Sequence, residues 1–154
     1  MASYYGDQFT KTRDGSREFI DVAKWGGRVR VLTDHKALTA AGIAAGDLVY
    51  LARLPSNAVI LPQSAFYFDA LTGANAVDFG DANDPDGLAA DVDMTSAGTA
   101  LVLEQVDRAN YGKKLWELLS YTSDPKTQID LYATMNGELT ADGDLTVVIL
   151  YVLD

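Results

Sequence analysis

A chain of 154 residues, 48% hydrophobic and 22% charged, has the size and composition of one globular domain that can bury its own core. It contains no cysteine, which excludes a disulfide framework and thiolate metal sites. The formal net charge of −10 is unevenly placed: between Arg53 and Arg108 there is no Lys or Arg, so the clustered basic stripe that phosphate binding needs is missing and no nucleic-acid partner is expected.

The longest apolar run, Val147 to Leu153, is far short of the ~20 residues that span a bilayer. The N-terminus lacks the basic patch and apolar run of a signal peptide. A soluble protein with no membrane partner is the expectation.

Residues 1–27 differ in character from the rest of the chain. They carry Tyr4, Tyr5, Phe9, Phe19, Ile20 and Trp25 among charges that cancel, without a clean period. Such a segment cannot readily build a core, yet it is too aromatic for a purely solvated tail. It reads as an extended N-terminal arm that docks on its own domain or on a neighbour, with Tyr4, Tyr5, Phe9, Phe19 and Trp25 as partner-binding candidates. The alternative is a frayed terminus with one short helix around Ser16–Lys24. Gly26-Gly27 marks the boundary, and residues 28–154 form the second unit.

From Arg28 the chain alternates at period two, predicting a strand with Val29 and Val31 on the buried face. The Ala-rich stretch Ala37–Ala45 suits a short helix or a loop. Asp47 to Leu51 is the next strand, ended by Pro55, and Ala58 to Leu61 is a short apolar run closed by Pro62. Ser64 to Asp69 is predicted to pair as a hairpin with Ala76 to Phe79 through the turn Thr72-Gly73-Ala74-Asn75. Asp84-Pro85-Asp86-Gly87 suggests one helical turn with Asp84 as N-cap.

Thr99 to Glu104 and Lys114 to Tyr121 read as strands, although Leu115, Leu118 and Leu119 also fit helical spacing. Thr127 to Thr134 alternates with Ile129, Leu131 and Ala133 on one side. Asn136-Gly137 and Asp142-Gly143 are turn dipeptides. The last strand, Leu145 to Leu153, is apolar on both faces, which suits a central strand or a subunit interface. Eight or nine short strands at this spacing predict an all-β, antiparallel β-sandwich or barrel.

No catalytic motif stands out, and no enzyme activity or cofactor is expected. Asp81, Asn83, Asp84 and Asp86 place oxygen ligands at nearly alternate positions, as a calcium loop does. Pro85 and Val92 break the EF-hand pattern, and the competing reading is a capping turn with solvated carboxylates. His35 is the only histidine, so a catalytic triad would have to use it, and a histidine-rich zinc site is excluded by number. Trp25, Trp116 and the eight tyrosines could instead line a sugar-binding face, although such residues more often serve as core or interface anchors.

The stretches Leu54-Pro-Ser-Asn-Ala-Val-Ile-Leu-Pro62 and Val77-Asp-Phe-Gly-Asp-Ala-Asn-Asp-Pro-Asp-Gly-Leu88 resemble small head proteins of tailed bacteriophages. These are capsid decoration or cement proteins, several with a jelly-roll-like β-sandwich. Gly46-Asp47 and Gly143-Asp144, each leading into a strand, extend the resemblance over roughly residues 46–151. It implies a non-catalytic virion protein on the capsid surface, assembled in the host cytoplasm. It also implies a homo-oligomer, trimer or dimer, that bridges subunits of the major capsid protein. A tail or adaptor role and a carbohydrate-binding module are the alternatives.

Overall fold

The computed structural model describes residues 28–74 and 76–153. Nine strands make two antiparallel sheets packed face to face, the β-sandwich expected from the sequence. The strands are β1 (Arg30–Leu38), β2 (Asp47–Pro55), β3 (Ala58–Ile60), β4 (Ala65–Phe68), β5 (Val77–Gly80), β6 (Ala89–Val92), β7 (Gly98–Leu101), β8 (Gln128–Met135) and β9 (Gly143–Leu153). One sheet runs β1-β9-β4-β7, with β3 also on β9, and the other runs β2-β8-β5-β6.

The last strand is central. β9 pairs with β1 along one edge, and with β4 and then β3 along the other. Its Leu145, Val147 and Ile149 enter the core, while Val148 and Leu150 lie half-buried on the outer face. Between β3 and β4 a side chain replaces the missing strand: buried Ser64 accepts the Leu150 N–H at 3.0 Å and donates to the Leu150 carbonyl at 3.2 Å. Across the sandwich Phe66 of β4 meets Phe79 of β5 edge to face, with ring centroids 4.7 Å apart.

The phase of β1 is opposite to that expected. Val29 and Val31 are 55% and 64% exposed, whereas Leu32 packs on the core and Leu38 is buried. Pairing decides this, because Leu32 stands opposite the core residue Ile149 and Val31 opposite Leu150. On β2 a bulge between Tyr50 and Ala52 switches the inward set from Val49 and Leu51 to Leu54.

Two further expectations are corrected. β4 and β5 form no hairpin; they lie in different sheets, and residues 69–76 cross between them. That crossing is pinned by buried Leu71 and Ala74, whose backbones bond to Met94, and by Gly73 at φ +98, where a Cβ would stand 2.0 Å from the Glu138 carbonyl oxygen. Residues 115–118 form a short helix, α1 (Leu115–Leu118), rather than a strand: Leu115 and Leu119 are buried one turn apart, and the Glu117 carboxylate accepts the Lys114 N–H at 2.9 Å. The Ala-rich stretch holds one 3-10 turn, Ala40–Gly42.

Candidate binding surface

The acidic loop after β5 is a knitted turn. Asp81 is buried, and its Oδ1 accepts the N–H groups of Asn83 and Asp84 at 3.0 and 2.9 Å. Its Oδ2 accepts the Tyr121 hydroxyl at 2.6 Å. Asn83 donates to the Leu119 carbonyl at 2.7 Å, and Ser120 donates to Asp84 Oδ2 at 2.8 Å. Gly80 lets the loop close, since a Cβ there would stand 2.0 Å from the Asp84 carbonyl oxygen.

The capping carboxylate is therefore Asp81 rather than Asp84, and residues 84–87 form a turn, not a helical one. Three of the calcium candidates, Asp81, Asn83 and Asp84, are spent on holding the loop to residues 119–121. Asp86 is exposed on the turn. Among the described residues no group of three or more His, Asp or Glu converges as a metal site. The hydrogen bond to Asp81, with burial, pushes the Tyr121 hydroxyl up to about 12. Burial, and then the Asp81 charge, also raises Tyr132.

His35 sits half-exposed on the outer face of the β1 sheet, with Nε2 3.4 Å from Asp144 Oδ1. The exposed described aromatics, Tyr50 and Tyr67, lie on β2 and β4 in opposite sheets, so they do not make the planar array a sugar-binding face needs. Tyr50 instead meets buried Tyr132 edge-on at 5.2 Å. Trp116, on α1, is packed against the core.

The two lateral sides of the sandwich differ. On one side the space between the edge strands β6 and β7 is sealed by residues 102–106, which run from β7 to the start of β6: Val102 donates to the Ser64 carbonyl, Gln105 donates to the Leu88 carbonyl, and Val102, Leu103 and Val106 fill the core. On the other side β1 and β2 are edge strands with an open groove of about 520 Å³ between them, lined by Leu32, Thr33, Tyr50, Ala52, Arg53 and Asp130 among others. Arg53 closes on Asp130 through two hydrogen bonds, Nη2 to Oδ2 at 2.7 Å and Nε to Oδ1, and this hydrogen bonding holds the Asp130 carboxyl below its usual range. Sequence reasoning misses this open side, because the opposite phase for β1 hides Val31 in the core.

The fold is shared with chains of two phage capsids. A chain of the cyanophage Pam1 capsid asymmetric unit superposes with a TM-score of 0.60 at 19% identity, covering 92% of this chain and 96% of that one. A chain of the Ralstonia phage GP4 capsid gives 0.59 at 18% identity, with coverages of 83% and 86%. No protein-family model and no curated protein matches the sequence. The partner-binding candidates Tyr4, Tyr5, Phe9, Phe19 and Trp25 lie outside the described residues.

Proposed function

We propose that this protein is a structural component of a tailed-phage virion, a decoration or cement protein that sits on the capsid surface and bridges subunits of the major capsid protein without catalysis. The observation that carries this reading is the reciprocal coverage of 92% and 96% with a capsid chain. The likeness spans two chains of nearly equal length from end to end, rather than one domain embedded in a larger shell protein. The resemblance of residues 46–151 to head decoration proteins points the same way and is drawn from sequence pattern, not superposition.

The physics suits the role. A repeating shell lets an oligomer engage several identical sites, so overall attachment gains strength without any single tight contact. A homo-oligomer, trimer or dimer, assembled in the host cytoplasm meets that requirement. The aromatic arm adds apolar area at the cost of its ordering. Residues 1–27 form that arm in this proposal, and residues 28–154 the sandwich that carries it. Because β9 is hydrogen-bonded along both edges, it contributes only its outer face to a partner.

Deleting residues 1–25 from the full chain tests the arm. The truncated sandwich is expected to keep its β-rich circular dichroism and to lose co-sedimentation with shells stripped of the protein. Retained co-sedimentation would show that the arm is not the shell contact.

A further inference from the structure

We infer that the open β1/β2 side of one copy docks against the sealed, acidic β6/β7 side of a second copy, in a head-to-tail contact. The first support is an unpaired edge. Leu150 turns its N–H and carbonyl toward Ser64 and Leu61, on the β3–β4 side. Strand alternation therefore turns the backbone of its neighbours Ile149 and Tyr151 toward β1, and the backbone of Val31 and Thr33 toward the open side. Among the described residues β1 pairs only with β9 and β2 only with β8, just as β7 pairs only with β4 and β6 only with β5, so both lateral sides carry free strand edges. Two nine-residue edges left in this state are a template for association.

The second support is the placement of exposed apolar side chains. Val29, Val31, Leu48 and Tyr50 are four of the six large apolar residues exposed in the described part, and all lie on β1, β2 or the lead into β1. Tyr50 lines the groove between the sheets, and Val31 adjoins Leu32 of its lining. The sealed side offers Leu101 of β7 as an exposed apolar counterpart.

The third support is charge. Exposed Arg28, Arg30 and Lys36 occupy the β1 side against Asp34 and Asp47, while Arg53 is engaged by Asp130. The sealed side lies within the segment between Arg53 and Arg108 that has no Lys or Arg, and it exposes Asp91, Asp93 and Glu104. Two like sides facing each other would repel at the acidic pair, so complementarity selects open side against sealed side. A contact between different patches of identical copies closes into a ring where the rotation allows.

This inference rests on the proposed shell role only for where the oligomer acts, and it is tested without shells. Sedimentation velocity of the full chain at low salt is expected to show a discrete oligomer. Two folded variants, Arg30→Glu/Lys36→Glu and Asp91→Lys/Glu104→Lys, should each sediment as monomers. Lysine is compatible with the backbone at Asp91 (φ 52), since Lys126 holds φ 53 in this same chain. The variant carrying all four exchanges should re-associate. A monomeric parent chain, an oligomer that survives either double variant, or a folded fourfold variant that stays monomeric would each overturn the contact. Shell binding by a monomeric parent would leave the virion role standing, and an oligomer that ignores shells would do the reverse.

Discussion

The two lateral sides of the sandwich solve the same problem in opposite ways. Any two-sheet sandwich ends in edge strands whose backbone groups must be paired, covered or left to a partner. At β6/β7 the chain fills the gap between its edge strands: residues 102–106 cross from one sheet toward the other and bury Val102, Leu103 and Val106. At β1/β2 the connecting loop 39–46 crosses at one end only and leaves an open groove between the strands, with Tyr50 mostly exposed along it. A sealed side stabilises the monomer, whereas an open side stabilises whatever binds it. Stability and recognition are thus separated on the same fold, and substitutions can be aimed at either.

Truncation is the sharpest way to break this contrast. Leu103→Ala removes a buried seal residue and should cost about 2–5 kcal/mol in chemical denaturation, through lost transfer energy and the cavity left behind. Val31→Ala on the open side should change monomer stability by no more than about 0.5 kcal/mol, while weakening self-association. Equal destabilisation by both would show that the open side is packed like the sealed one.

Ser64→Ala ranks next, at roughly 1–3 kcal/mol, because it leaves the Leu150 N–H buried without its acceptor. The effect should appear in denaturant midpoint and in faster hydrogen exchange at Leu150. An unchanged midpoint would mean that water or a shifted strand restores the bond.

The smallest effect is a pH dependence. Tyr121 is raised to about 12 by its hydrogen bond to Asp81, above the ~10 of an unfolded tyrosine. The stabilisation it brings is complete below pH ~10 and is lost as pH rises through the folded value of about 12. Melting temperature should therefore fall over that alkaline interval in the parent chain and fall less in Tyr121→Phe. Parallel curves would remove Tyr121 from the loop's stability.

Much of the fold was legible because strands announce themselves locally. β8 alternates as written, with Ile129, Leu131 and Ala133 inward, and the doubly apolar β9 proved central. What was illegible depended on partners distant in sequence. The phase of β1 is fixed by β9, more than a hundred positions away, and this pairing overrides the local alternation that places Val29 and Val31 inward. The bulge at Leu51 leaves no mark in composition. The helical spacing of Leu115, Leu118 and Leu119 competed with a strand pattern, and only burial of Leu115 and Leu119 under one turn decides between them.

The candidate site was less legible than the fold. The acidic loop stood out by composition, but its chemistry depends on Tyr121, Ser120 and Leu119, which reach it from roughly forty positions downstream. Two of the three donors to Asp81 are backbone N–H groups of the loop itself, but no pattern within residues 81–87 could have announced the third, the Tyr121 hydroxyl. The open side was invisible for a related reason: exposure of an apolar strand is a property of which strand it fails to pair with.

The most direct test of the virion role is the copy number of this protein in purified phage heads, measured by quantitative mass spectrometry against the major shell protein. A decoration protein should be present in many copies, in a simple fixed ratio to that shell protein. A few copies per particle would place it at a single vertex or in the tail, and complete absence from purified heads would contradict the structural reading altogether.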